Sequence, residues 1–255
     1  MMCRVIAAIV LTGLLALSSE AVQAQTQPQG QTQPQPQAQP KPDPLMLSCV
    51  KDPNPDKRLA ACAQVLAAHP GDPNFFWAFN TRGNAYFQKN DLANAIKEYD
   101  SAIKLNPKDP QAYNNRGTVH LQQGQYAPAV QDYTAAITAD PNDDAAYNNR
   151  AMANFRLGKI DQSVQDFSVA IKLRPNYYGP YESRGIIYFA QGKTDLAFAD
   201  FNNAVALNPK SAEALFLRSA AFRKKGQIPS ADSDLAAAKL LDPKIVEKMA
   251  SIGLK

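Results

Sequence analysis

Histidine, tryptophan and cysteine are scarce in this chain of 255 residues, which holds two, one and three of them. Neither His69 nor His120 has companions at metal-ligand spacing, which excludes a histidine-built metal centre. His69 reads instead as a charge near a helix end and His120 as a hydrogen-bonded residue of the packed interior. An excess of one charge is also missing. With 27 basic and 23 acidic residues the net charge is +4, and no basic run is interleaved with aromatics, which argues against a nucleic-acid surface. There is no nucleophile elbow, paired-metal signature or glycine-rich dinucleotide turn. Gly192-Lys193-Thr194 shares its letters with the end of a phosphate loop. Ile187, however, stands where that loop requires glycine, and no strand precedes it, so the triplet reads as a turn between helices. Catalysis, a cofactor and a bound metal are therefore not expected.

Long apolar runs are confined to Val5–Leu17. That run is shorter than the roughly 20 residues a membrane-spanning helix needs. It follows a short basic start, Met1 to Arg4, and precedes Val22-Gln23-Ala24, whose small residues suit a signal peptidase. Residues 1–24 are expected to be a signal peptide cleaved after Ala24, with an uncleaved anchor as the alternative. Cys3 precedes the apolar run, so it is misplaced for a lipid-attachment cysteine. Residues 25–44 alternate Gln and Pro. Proline removes a backbone donor and restricts its predecessor, so an extended tether is expected there, either a spacer or a proline-motif ligand.

From Pro107 onward a proline recurs every 34 residues, at Pro141, Pro175, Pro209 and Pro243. Such a period marks an array of stacked helical hairpins, elongated rather than globular. With Gly83 as position 8, the units run Phe76–Asp109, Pro110–Asp143, Asp144–Tyr177, Tyr178–Ser211 and Ala212–Ile245. Small residues hold position 8 (Gly83, Gly117, Ala151, Gly185, Ser219) and position 20 (Ala95, Ala129, Ser163, Ala197, Ala231). They also hold position 27, from Ala102 to Ala238, and together they let two helices approach closely. Aromatics stand at position 4 (Phe79, Tyr113, Tyr147, Tyr181) and position 24 (Tyr99, Tyr133, Phe167, Phe201). Apolar residues at 20, 21, 24, 27 and 28 form the stripe of an amphipathic helix. Gly124, Gly158, Gly192 and Gly226, with Asn90 in the first unit, place the left-handed turn at position 15. Pro128, Pro180 and Pro229 fall at helix starts, where a missing donor costs little.

This pattern resembles the tetratricopeptide repeat over five full units. The resemblance implies an all-α solenoid of antiparallel hairpins in a right-handed superhelix, with a groove lined by the first helix of each pair. It further implies a non-catalytic protein-interaction module. Two positions depart from the family pattern. Position 7, usually aliphatic in the family, is Arg82, Arg116, Arg150, Arg184 and Arg218; position 23 is Glu98, Asp132, Asp166, Asp200 and Asp234. Both lie roughly equidistant from the turn, so they are expected to face each other as an Arg–carboxylate ladder, within a unit or to its neighbour. Arginines gripping an anionic ligand are the alternative.

Capping segments are expected at both ends, residues 45–75 and 246–255. Asp56 to Ala68 reads as a helix with Leu59, Cys62, Val65 and Leu66 along one side, preceded by a short segment with Cys49. Cys49 and Cys62 are an even pair in a chain read as exported, which favours a disulfide over two buried thiols. The paired cysteines also resemble those of some exported bacterial members of the family. At the other end, Lys244 to Gly253 is expected to be a helix presenting Ile245, Val246, Met249 and Ile252 to the last unit.

The family resemblance places groove residues at positions 2, 5, 9, 12 and 13. Here these include Trp77, Asn80, Asn84 and Phe87, then Asn114, Thr118 and Leu121, then Asn148, Met152 and Phe155, then Ile186 and Phe189. Three asparagines at position 5 could hold an extended backbone, since an amide both donates and accepts; solvated surface residues are the other reading. Of the Lys/Asn pattern with which some family members clamp a terminal carboxylate, only Asn84 is present. The expected partner is a peptide or protein outside the cytoplasm, bound in the groove. The alternative is a scaffold or accessory subunit of an envelope assembly that uses its outer faces.

Overall fold

The computed structural model describes residues 43–251. Residues 1–42, on which the expected signal peptide and most of the expected tether fall, and residues 252–255, Ile252 among them, lie outside the described residues. Thirteen α-helices follow one another, with a single 3-10 turn at Pro73–Phe75 and no strand among the described residues. Helices α1 (Pro44–Lys51) and α2 (Pro55–Ala68) precede five hairpins. The hairpins are α3 (Phe76–Gln88) with α4 (Leu92–Leu105), and α5 (Pro110–Gln122) with α6 (Tyr126–Ala139). Then come α7 (Asp144–Arg156) with α8 (Ile160–Leu173), α9 (Gly179–Ala190) with α10 (Thr194–Leu207), and α11 (Ala212–Lys224) with α12 (Ile228–Leu241). A short α13 (Ile245–Ser251) follows. Each helix packs on the next, so the core is a series of junctions rather than one centre.

Local chemistry sets the boundaries. Asp109 accepts hydrogen bonds from the amides of Gln111 and Ala112, and Asp143 from those of Ala145 and Ala146. These carboxylates satisfy donors that a helix start leaves unpaired. Between the helices of each unit the chain reverses through one left-handed residue: Asn90 at φ 58°, then Gly124, Gly158, Gly192 and Gly226 near φ 73°.

Two contacts stack the hairpins. Within a unit, position 8 lies under the ring at position 24. A methyl group built on Gly83 would sit 2.6 Å from Tyr99, and one on Gly185 2.6 Å from Phe201. Where position 24 is Leu235 rather than an aromatic, position 8 accommodates Ser219, whose hydroxyl donates to the Phe216 carbonyl at 2.7 Å. Ser163 at position 20 is buried too, and its hydroxyl donates to the Ala151 carbonyl at 2.8 Å. Between units, the position-24 ring meets position 10 of the following unit. Tyr99 clusters with Val119, Tyr133 with Ala153, Phe167 with Ile187, and Phe201 with Ala221.

Arginine at position 7 ties the same junctions on another face. Arg116 donates from Nε to Asp132 at 3.0 Å and from Nη2 at 2.6 Å; Arg150, Arg184 and Arg218 grip Asp166, Asp200 and Asp234 in the same way. Arg82 holds one oxygen of Glu98. The remaining Nη1 reaches position 25 of the preceding unit: Asp100, Thr134, Ser168 and Asn202 in turn. Each guanidinium also lies over a ring, Phe79, Tyr113, Tyr147, Tyr188 or Phe222, at 5.4 to 5.8 Å. The fork thus spans two units, with its carboxylate largely buried.

The ends differ in detail from the sequence reading. Asp43 and Pro44, assigned above to the tether, start α1: the Asp43 carboxylate accepts from the Leu45 amide and Pro44 takes the first turn. Cys49 and Cys62 are joined, with Cα atoms 4.7 Å apart, and bury with Val65 and Leu66 against Ala78 of α3. At the far end Ile245 and Met249 are buried against α11, whereas Val246, expected to pack with them, is exposed. On a helix this short, residues one apart point in directions about 100° apart, so Ile245 and Val246 cannot share the buried side.

Arg116→Met strands the Asp132 carboxylate in a nearly dry site and should cost about 2–4 kcal/mol in urea unfolding. Adding Asp132→Leu should recover most of that loss; an Arg116→Met chain as stable as the parent would refute the ladder. Reducing the Cys49–Cys62 link should cost roughly 3 kcal/mol on the loop-entropy estimate, read as faster amide exchange confined to α1 and α2.

Candidate functional site

The first helices of the hairpins, α3, α5, α7, α9 and α11, carry the positions read from sequence as a groove. In the first three units their polar side chains are engaged with one another. Asn80, which is buried, accepts at Oδ1 from Asn115 Nδ2 at 2.9 Å, and Asn114 accepts from Asn149 at 3.2 Å. Asn148 donates to Asn149 at 3.3 Å. The position-5 asparagines are therefore laced through position 6 of the next unit, Asn115 and Asn149, which the sequence reading did not single out. Position 9 is used from below: the Tyr99 hydroxyl donates to Asn84 Oδ1 at 2.7 Å and the Tyr133 hydroxyl to Thr118 Oγ1 at 3.3 Å. Burial pushes the Tyr99 phenol well above its ordinary range and the Tyr133 phenol up to about 12, so both remain donors at neutral pH. Trp77 packs on the disulfide-linked cluster, its ring centroid 5.9 Å from that of Phe75. Phe87 packs against Tyr99 and Val119.

His69 and His120 are engaged as well. His69 caps α2 and stacks on Phe75 at 3.8 Å, while His120 Nδ1 lies 2.6 Å from Gln125 Oε1. Among the described residues no three His, Cys, Asp or Glu side chains converge as a metal site would require.

Where position 24 turns from tyrosine to phenylalanine, position 9 turns from polar to Met152 and Ile186. Met152 and Phe155 are 42% and 43% exposed, a large apolar area left in water. With Ser183, Ile186 and Ile187 they line an open cavity of about 140 Å³, beside which stands Arg156. Arg156 has no ion-pair partner among the described residues. Sequence reasoning missed it, although position 13 carries the signal: Gln88 and Gln122 in the first two units, then Arg156.

Glu182 replaces the position-5 asparagine in the fourth unit. It accepts from the Ser211 hydroxyl at 3.1 Å. Burial raises its carboxyl above the usual range, the Ser211 hydrogen bond partly opposes this, and the neighbouring Glu213 adds to it.

Fold and site together define a helical-hairpin solenoid whose first-helix face changes from laced amides to exposed apolar side chains beside Arg156. The chain belongs to the tetratricopeptide repeat family. Models of that repeat match residues 110–143 and 144–177, and a TPR-repeat model matches 83–124 and 185–226. No curated protein sequence matches the chain. Among solved structures it is similar to PilF of Pseudomonas aeruginosa, at 17% identity and TM-score 0.69 over 78% of this chain and 90% of that one. It is also similar to YrrB, described as a TPR protein with an unusual peptide-binding site, at 18% identity and TM-score 0.62 over 77% and 100%. A third, MamA of Desulfovibrio magneticus, aligns at 21% identity and TM-score 0.57 over 63% and 89%.

Because the folded chain holds Glu182 above its unfolded value, the protonated carboxyl favours folding and that contribution fades as pH rises through the folded value. Glu182→Gln should therefore unfold at a higher temperature than the parent at pH 7. The two should converge below about pH 4, where both side chains are neutral. Equal midpoints at both pH values would show that the site is well solvated.

Proposed function

We propose that this chain is a non-catalytic interaction module that acts outside the cytoplasm and holds a segment of a partner protein against the first helices of its third and fourth units. The exposed pair Met152 and Phe155 beside the unpaired Arg156 carries this reading. Apolar side chains of the partner would enter the cavity between α7 and α9, and an acidic group would meet Arg156. The laced asparagines to the N-terminal side would act as a stiff wall more than as a reader of backbone, because their amides already serve neighbouring units. YrrB, with its own peptide-binding site, supports the reading by analogy of fold alone. Export rests on the leader read in residues 1–24 and agrees with a linked Cys49–Cys62 pair. No cofactor enters this reading.

A scaffold that uses the outer helices is the second reading, favoured by Leu196 on α10, which is 51% exposed. The two separate in an affinity capture with residues 25–255 from envelope extract, run beside a Phe155→Ala/Arg156→Glu double variant and a Leu196→Glu variant. Under the groove reading the double variant loses its captured partner at least tenfold and Leu196→Glu keeps it. The reverse pattern would move the interface to the outer helices.

A further inference from the structure

Position 11 carries a ring in four units, Tyr86, His120, Tyr188 and Phe222, and is Asn154 in the third. The fourth unit shows what meets such a ring. Two cations approach Tyr188: Arg184 of position 7 at 5.7 Å from the centroid, and Lys193 of position 16 at 5.8 Å. The third unit keeps both cations, held in the same way. Arg150 grips Asp166 and reaches the Thr134 hydroxyl, as Arg184 grips Asp200 and reaches that of Ser168. The Lys159 amide donates to the Asn154 carbonyl at 2.9 Å, as the Lys193 amide does to that of Tyr188. What the third unit lacks is the ring. Beside Asn154 a cavity of about 400 Å³ opens, lined also by Arg150 and Lys159 and by Val130, Thr134 and Asp166.

Asn154 is 3% exposed, and its two polar atoms fare differently. Nδ2 donates to the Asp166 carboxylate at 3.2 Å; a carboxylate only accepts, which fixes the orientation of the amide. Oδ1 is buried and has no hydrogen-bond partner among the described residues. A buried acceptor without a donor is costly, so the site has an unmet demand for an N–H or O–H group. An anion is disfavoured, because the Asp166 carboxylate lines the same cavity and already engages Arg150.

We propose that this cavity takes up a tyrosine side chain of a partner protein, its ring against Arg150 and Lys159 and its hydroxyl donating to Asn154 Oδ1. The ring repeats the contacts of Tyr188 one unit on, where the same two kinds of cation meet an electron-rich face. A side chain entering from solvent leads with its hydroxyl toward α7, where Asn154 stands. The undescribed segments of this chain cannot supply the ring, since residues 1–42 and 252–255 hold no Phe, Tyr or Trp. No lining residue is shared with the cavity at Met152 and Phe155, so the site does not depend on that reading.

The test follows the Asn154 side-chain amide and the Lys159 backbone amide of the full chain by NMR. The added probes are p-cresol, toluene and an end-capped pentapeptide of Gly and Ser with one central tyrosine. p-Cresol should bind about fivefold more tightly than toluene, the worth of one neutral hydrogen bond, and the peptide at least as tightly as p-cresol. Asn154→Tyr gives the third unit the residue that the fourth carries, and should fold and abolish binding of both phenols. Lys159→Gln alters an exposed side chain and should weaken both about threefold without disturbing the fold. Equal affinity for p-cresol and toluene would leave Oδ1 to water and overturn the proposal. So would a peptide that binds the two variants as it binds the parent, or the absence of any shift with either phenol. Binding of p-cresol without the peptide would assign the cavity to free phenols and overturn it as well. Concentration-dependent self-association lost in Asn154→Tyr would replace the partner with a second copy of this chain.

Discussion

A ring pressed against a backbone with no side chain in the way is the contact on which this solenoid depends. Tyr99 lies so close to Gly83, and Phe201 to Gly185, that a single added carbon would meet the ring at 2.6 Å. That approach brings the two helices of a hairpin together, and the same ring then receives a side chain of the following unit. One residue thus closes its own hairpin and offers the seat for the next. A contact of this kind propagates along the chain and has no natural end. Among the described residues the ends are handled by other means: a disulfide-linked pair of short helices at one, and the short helix α13 at the other.

The arginine fork works alongside this packing. An isolated carboxylate as buried as Asp132, Asp166 or Asp200 would be costly, and a guanidinium at bidentate distance offsets that cost. The third nitrogen, reaching back to Asp100, Thr134, Ser168 or Asn202, needs only an oxygen acceptor, so position 25 varies in side chain but is polar in the four units that a ladder arginine follows, and is Ala236 in the fifth, which none follows. Packing supplies most of the attraction between units, and the fork supplies direction, since a planar group satisfied at three nitrogens tolerates little rotation of one hairpin against the next.

The first-helix face is not uniform, and the reason lies beneath it. A buried tyrosine at position 24 requires an acceptor for its hydroxyl and finds one at position 9, so the first two units carry Asn84 and Thr118 there. Phenylalanine makes no such demand, and the third and fourth units carry Met152 and Ile186. The core chemistry of each unit therefore sets the polarity of its surface. The apolar patch at Met152 and Phe155 and the Arg156 beside it lie in the half where the tyrosines have ended.

The hairpin count, the turns at Asn90 and the four glycines, and the register of small and aromatic positions were legible in the sequence because they depend on local backbone preference and on contacts at fixed spacing. The facing of position 7 to position 23 was legible for the same reason, since equal distance from a turn is a statement about one hairpin. Relations between units were not. That Asn80 and Asn114 are engaged by Asn115 and Asn149, and that Arg116, Arg150, Arg184 and Arg218 each reach a second unit, depends on the rise and rotation between hairpins. Position labels do not contain those quantities. Nor could a list of groove positions distinguish Asn84, held by a tyrosine beneath it, from Met152, left in water. Sequence by itself determined the repeating unit, because each unit folds on its own periodicity. Tertiary structure alone decided which side chains remain free to meet a partner, because that depends on what the neighbouring unit has already taken.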